Sequence, residues 1–288
     1  MTQSYQINLG LIGVSAAVEV VVLATIVWLL TRRSAPAIAD RAPAHPVARF
    51  ETLALLLYGL LAQLLGVALG QALGWHPISF HLAGTLVGPH DHVGVAETIG
   101  WAGYNFTAFA VVPFLWFRRR YSSTELCLRS TNRRRDSLIV AVVLAVGSIT
   151  QLLGLSAAIL ALDGRQLALG VPLTFVLYLL GTGLPTLVFV QAILVPRFVR
   201  LVGIPGAVIL GGLTYAALHL GDAWTRFTSV GEAVTSIGLV LLVYTMPGAF
   251  KTFLTVRTGN AWVHLWAYHA IAPHTLVDTP LIVRIFRL

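Results

Sequence analysis

Ionic side chains are scarce in this chain. Of 288 residues, only 10% are charged, and a single lysine, Lys251, stands among the basic residues. A water-soluble domain carries about 25% charged residues. With 57% hydrophobic residues and a mean hydropathy of +0.83, there is too little polar surface to clothe a water-facing fold. An integral membrane protein is expected, with lipid as the partner of the surplus apolar surface. One cysteine, Cys127, excludes an internal disulfide; its basic loop marks it as a reduced thiol on the cytosolic side. The chain also shows no internal repeat and no low-complexity tract, which excludes solenoid architectures. The first apolar run has neither a basic leader nor a cleavage site and reads as a retained span.

What is abundant is apolar length. A spanning helix needs about 20 largely apolar residues. Eight segments qualify or nearly so: 7–30, 51–73, 95–117, 138–162, 170–195, 204–221, 232–250 and 258–273. The fold class is therefore all-α, a polytopic transmembrane bundle of about eight helices. Residues 31–49 form a Pro/Ala-rich linker, and "TLVDTPLIVRIFRL" at 275–288 reads as a short interfacial tail.

Net charge is +8. In a soluble protein this balance would suggest nucleic acid; here the arginines lie between apolar runs, where they set topology, and no nucleic-acid partner is expected. Arg32, Arg33, Arg41 and Arg49, the seven arginines between 118 and 135, Arg197 and Arg200, and Lys251 with Arg257 fall on one side. Arg165, Arg226, Arg284 and Arg287 fall on the other. Arginine-rich loops in the cytosol and both termini outside are expected.

Ionisable groups inside such spans are costly and mark function by default. The list is Glu19, Glu97, His219, Asp222, Glu232, His264 and His269. Glu97, Asp222 and Glu232 fall near helix ends. Glu19 sits deep in the first span and reads as a protonated carboxyl bonded to a neighbouring helix. His219 and His269 are expected at similar depths, ~21–23 Å and ~17–20 Å from the cytosolic ends of their helices. Tyr215 shares the face of His219. His264 is five residues before His269, about 140° around an α-helix, and is expected to point elsewhere. The loop "WHPISFHLAGTLVGPHDHVG" gathers His76, His81, His90, Asp91 and His92, whose incidental metal affinity is that of a solvated loop.

Residues 120–274 resemble the CPBP (CAAX protease and bacteriocin-processing, Abi) intramembrane proteins. The residues that carry the resemblance are "YAALH" at 215–219, for F-x-x-x-H; Gly248; the step Arg257, Thr258, Gly259; and His269 beyond it. The leucine-plus-basic run "STELCLRSTNRRRDSLIV" precedes them. The resemblance implies a CPBP-like core over 118–274, preceded by N-terminal helices at 1–117, with His219 and His269 as catalytic residues of an intramembrane metalloprotease-like hydrolase.

The chain departs from the family at its first mark, E-E-x-x-x-R. In "LPTLVFVQAIL", Pro185 and Thr186 hold the glutamate positions and Val190 the arginine position. In the late mark, H-x-x-x-N or a near variant, Pro273 stands at the asparagine. A threonine supplies no base and a proline no donor. The expectation is a pseudoenzyme whose cavity binds a membrane-anchored peptide or protein partner. One alternative is an active endopeptidase using a displaced carboxylate, from Glu97, Glu19 or Asp222. Another is a haem protein with His219 and His269 as axial ligands. Cofactors are expected to be none or a divalent metal at His219 and His269, a pair one ligand short of a catalytic zinc site. A carboxylate within reach of His219 would favour the active enzyme.

Overall fold

The computed structural model describes residues 9–33, 36, 38–85, 93–153 and 157–288. Among them every regular element is helical. In chain order these are α1 (Leu9–Thr31), α2 (His45–Ala72), α3 (Val95–Asn105), α4 (Val112–Arg118), α5 (Arg133–Leu153), α6 (Gly164–Tyr178), α7 (Val195–Ala217), α8 (Val230–Thr258), α9 (Ala261–His264) and α10 (Val277–Phe286). Four stretches are long and apolar enough to cross a bilayer: His45–Ala72, Arg133–Leu152, Gly164–Ala217 and Val230–Thr258. Along α2 the exposed residues include Leu53, Leu57, Leu61 and Leu65, a face suited to hydrocarbon rather than water.

The centre of the bundle is the run between α6 and α7. Every residue from 185 to 199 is buried, as expected for a helix that is apolar all round. Its π-helical part, Thr186–Leu194, packs Phe189 against Phe109 and Tyr58. The 54-residue helical run from Gly164 to Ala217 is interrupted at Gly203, with φ 72° and ψ 177°. Only glycine adopts that backbone without strain, so the interruption is written into the sequence. Beyond it α7 pairs with α8 along its length. The approach is close: a Cβ on Gly212 would lie 2.6 Å from the Thr245 carbonyl oxygen.

One buried ion pair ties the end of α2 to the central run. Arg197 donates from Nε to Glu51 Oε2 at 2.8 Å and from Nη1 to the Ile193 carbonyl at 2.7 Å. Its guanidinium lies over the rings of Phe117 and Tyr121, at 4.6 and 4.8 Å. The Tyr121 hydroxyl donates to Glu51 Oε1 at 2.8 Å.

Several sequence expectations change here. Lys251, read as a loop charge, is 2% exposed within α8, and its Nζ lies 3.6 Å from the Tyr215 ring centroid. Residues 275–288 are a packed helical segment: α10 continues the C-terminal helical run and packs on α6, with Leu281, Ile282 and Val283 buried. Cys127 is fully buried, and desolvation raises its thiol pKa, so it is shielded as well as unpaired. Glu19 accepts from Thr150 Oγ1 of α5 at 2.8 Å, the cross-helix bond expected of it.

The Glu51–Arg197 pair yields a test. Arg197→Met should destabilise the protein by ~3–5 kcal/mol, because it takes the buried cation from the Glu51 carboxylate and leaves it only the Tyr121 hydroxyl and the exposed Arg120. The double variant Glu51→Leu/Arg197→Met should recover most of that loss. Thermal unfolding in detergent reads both; equal loss in the single and double variants would contradict the assignment.

Candidate functional site

The polar interior begins where α7 ends. His219 sits in the turn just past Ala217, and Asp222 three residues later. Both are buried, at 0% and 1% exposure. Asp222 Oδ2 lies 3.4 Å from His219 Nδ1. The non-helical stretch between α2 and α3 folds into the same space. Ser79 Oγ donates to Asp222 Oδ1 at 2.8 Å, and the His81 backbone N–H donates to the same oxygen at 3.2 Å. His81 Nδ1 is 3.7 Å from Asp222 Oδ2. From α8, the Tyr244 hydroxyl donates to Asp222 Oδ2 at 3.2 Å and lies 2.9 Å from His81 Nδ1. Three segments therefore converge on one carboxylate. Burial raises the Asp222 pKa, while His81 and the bond from Ser79 oppose the shift.

His81, His219 and Asp222 each bring a donor atom within 4.8 Å of the other two. His219 has no hydrogen-bond partner on either ring nitrogen among the described residues. Its ring stacks on Tyr244 at 3.8 Å and meets Tyr215 edge-on at 4.7 Å. An unsatisfied buried imidazole is uncommon and calls for an explanation.

The C-terminal run adds three more histidines through an unusual backbone. Leu265–His269 and Ile271–Leu276 are π-helical, with i→i+5 hydrogen bonding such as Ala270 N–H to the Leu265 carbonyl at 2.9 Å. In this geometry residues five apart share a face. His264, His269 and His274 are spaced by five. Their rings line up with centroids 5.8 and 5.0 Å apart. The expectation that His264 points away from His269 is thus overturned: it assumed 3.6 residues per turn. His274 continues the file to His81 at 5.4 Å, and its Nδ1 is 3.3 Å from Asp278 Oδ2. π-Helical turns occur often at functional sites.

His219 and His269 come together through Tyr215, which meets the two rings at 4.7 and 5.9 Å. A porphyrin between the two imidazoles would need the space that Tyr215 fills, so the packing gives the haem alternative no support. His269 Nε2 lies 3.4 Å from Thr182 Oγ1. At the degenerate first mark, Val190 is buried, and Thr186 Oγ1 is buried without a partner. The side chain of Pro273 lies outside the described residues.

Of the candidate carboxylates Glu97, Glu19 and Asp222, Asp222 is the one beside His219. Glu97 accepts from the His76 backbone N–H at 2.9 Å, and its Oε1 lies 2.8 Å from His76 Nδ1. Glu19 is engaged with α5. In the histidine-rich loop, His76 and His81 part company, and His90, Asp91 and His92 lie outside the described residues. Sequence reasoning missed the inward turn of His81 and the His274–Asp278 pair. One signal was present: apolar Ile78, Phe80, Leu82 and Ala83 surround His81 and are buried, a poor composition for a solvated loop.

A groove of about 650 Å³ runs between α2 and α7, with Asp222 among its lining residues. Its polar lining is confined to Gln63, Thr214, Asp222 and Thr225; Leu60, Leu64 and Leu213 represent the apolar remainder. The volume suits an organic ligand or short peptide segment.

Tyr244 gives the test of this geometry. Tyr244→Phe removes the hydroxyl bonded to Asp222 and His81, and should cost ~1–3 kcal/mol of stability. No change in unfolding temperature in detergent would show that the hydroxyl does not hold the carboxylate.

Compared with known proteins, the chain matches no family model, no curated protein and no solved structure.

Proposed function

We propose that the protein is an active intramembrane hydrolase of the CPBP kind, cleaving membrane-anchored peptides, with Asp222 standing in for the missing glutamates. The observation that carries this reading is the buried Asp222 carboxylate, 3.4 Å from His219 Nδ1. The chemistry needs a negatively charged oxygen beside an imidazole to orient and deprotonate water. It also needs donors for the oxyanion that forms on the scissile carbonyl. Asp222 with His219 and His81 supplies the first, and His274, His269 and the Tyr215 hydroxyl are the nearby groups for the second. A carboxylate this close to His219 supports the active enzyme over the pseudoenzyme expected from Pro185 and Thr186.

The late family mark also finds a better register. "HTLVD" at 274–278 is an H-x-x-x-D variant, and His274 pairs with Asp278 across one turn. In this reading His274, rather than His269, is the family's late histidine, and Asp278 replaces the position assigned to Pro273. The α2–α7 groove leads an apolar substrate segment from the bilayer to Asp222. In this reading α1, the helical stretches 95–118 and 261–286, and the interruption at Gly203 bring the four long stretches to eight passes, with both termini outside and the arginine-rich loops in the cytosol.

The test is cleavage of a co-expressed library of membrane-anchored peptides. The unaltered chain should release products, and Asp222→Asn should lower the rate by about 10²-fold or more, as loss of a general base does. Pro185→Glu/Thr186→Glu/Val190→Arg should give no gain. Absence of cleavage by the unaltered chain, with gain in the triple variant, would return the protein to the pseudoenzyme class.

A further inference from the structure

We infer that His81, His219 and Asp222 form a binding site for a first-row divalent cation, zinc by its coordination number. The ligand set differs from the His219–His269 pair that the sequence suggests, since it recruits His81 from a loop more than a hundred residues earlier and leaves His269 bonded to Thr182. Two observations support it independently. The first is donor spacing. Ligands about 2.0–2.2 Å from a tetrahedral ion lie about 3.4 Å from one another. The Asp222 Oδ2 to His219 Nδ1 and His81 Nδ1 separations are 3.4 and 3.7 Å. The second is the state of His219. It is wholly buried, and neither ring nitrogen has a hydrogen-bond partner among the described residues.

The donor chemistry fits as well. Two imidazoles and one carboxylate are the composition of catalytic zinc sites, which use three protein ligands and keep a fourth position for water. The carboxylate is held from behind. Ser79 Oγ and the His81 backbone N–H both bond Asp222 Oδ1, which leaves Oδ2 directed at the imidazoles. Such outer partners fix ligand orientation and sharpen affinity. Tyr244, whose hydroxyl touches both Oδ2 and His81 Nδ1, places a polar atom beside the same point. Apolar surroundings, with Phe80 at 5.8 Å from the His219 ring, exclude competing water.

The hydrolase reading enters only in what the ion would do, namely polarise a water molecule while Asp222 holds the ion in place of acting as the base; its binding stands apart. The experiment uses the full chain in detergent with any affinity tag removed. Elemental analysis should find about one zinc per chain, and after chelation Co²⁺ should restore a visible d–d spectrum of tetrahedral strength. His81→Ala and Asp222→Ala should each lower zinc affinity by at least tenfold. His264→Ala, outside the ligand set, should leave it unchanged and serves as a control for burial of any histidine. Asp222→Glu, which keeps the donor, guards against loss through misfolding and should retain the ion. A chain that binds neither Zn²⁺ nor Co²⁺, or variants at His81 and Asp222 that bind as the unaltered chain does, would overturn the site. Zinc bound without peptide cleavage would refute the hydrolase and leave this inference intact; cleavage indifferent to chelation would do the reverse.

Discussion

A carboxylate inside an apolar bundle must be supplied with donors or it will not stay there. Asp222 meets that constraint with Ser79 Oγ, the His81 backbone N–H and the Tyr244 hydroxyl. Those groups and Asp222 itself belong to three separate stretches of chain. The path of the loop after α2, the turn that ends α7 and the placement of α8 are thus tied to one side chain. Removing a partner of a buried charge is far costlier than the net worth of any single bond. The carboxylate is thereby held from several sides, as a preorganised site requires.

A second constraint is backbone pitch. His264, His269 and His274 would scatter around an α-helix. The π-helical turns at Leu265–His269 and Ile271–Leu276 bring them into file. π-Helix is rare because its hydrogen bonding is less favourable than that of the α-helix. Here it recurs along the central run as well, at Leu179–Gly183 and Thr186–Leu194. The wide turns therefore face each other across the interior where polar side chains collect, with Thr182 meeting His269 between them.

The membrane character and helical class were legible from composition, because too few charges exist to cover a soluble surface. The depth argument also brought His219 and His269 to a common region, where they meet across Tyr215. What could not be read was anything that depended on abandoning standard geometry. An α-helical wheel sends His264 away from His269, and the π-helical turns return it. Hydropathy made Lys251 a loop charge, since it cannot register an amine buried against the Tyr215 ring. The rule that loops lie in water concealed His81. Spacing alone would have paired His274 with Asp278, but the segment was read as lying outside the bundle.

The loop between α2 and α3 has a consequence for how the chain is divided. The boundary expected from the sequence near residue 117 would cut between Ser79 and Asp222. A fragment starting there would keep four of the five clustered imidazoles and both acids, yet would have no hydroxyl or backbone amide to seat Asp222 Oδ1. The two halves are thus segments of one functional unit, and the contacts that complete it span 141 to 143 residues. Such distant contacts close late in folding. By that rule the interior polar cluster is expected to assemble after the local helices have formed.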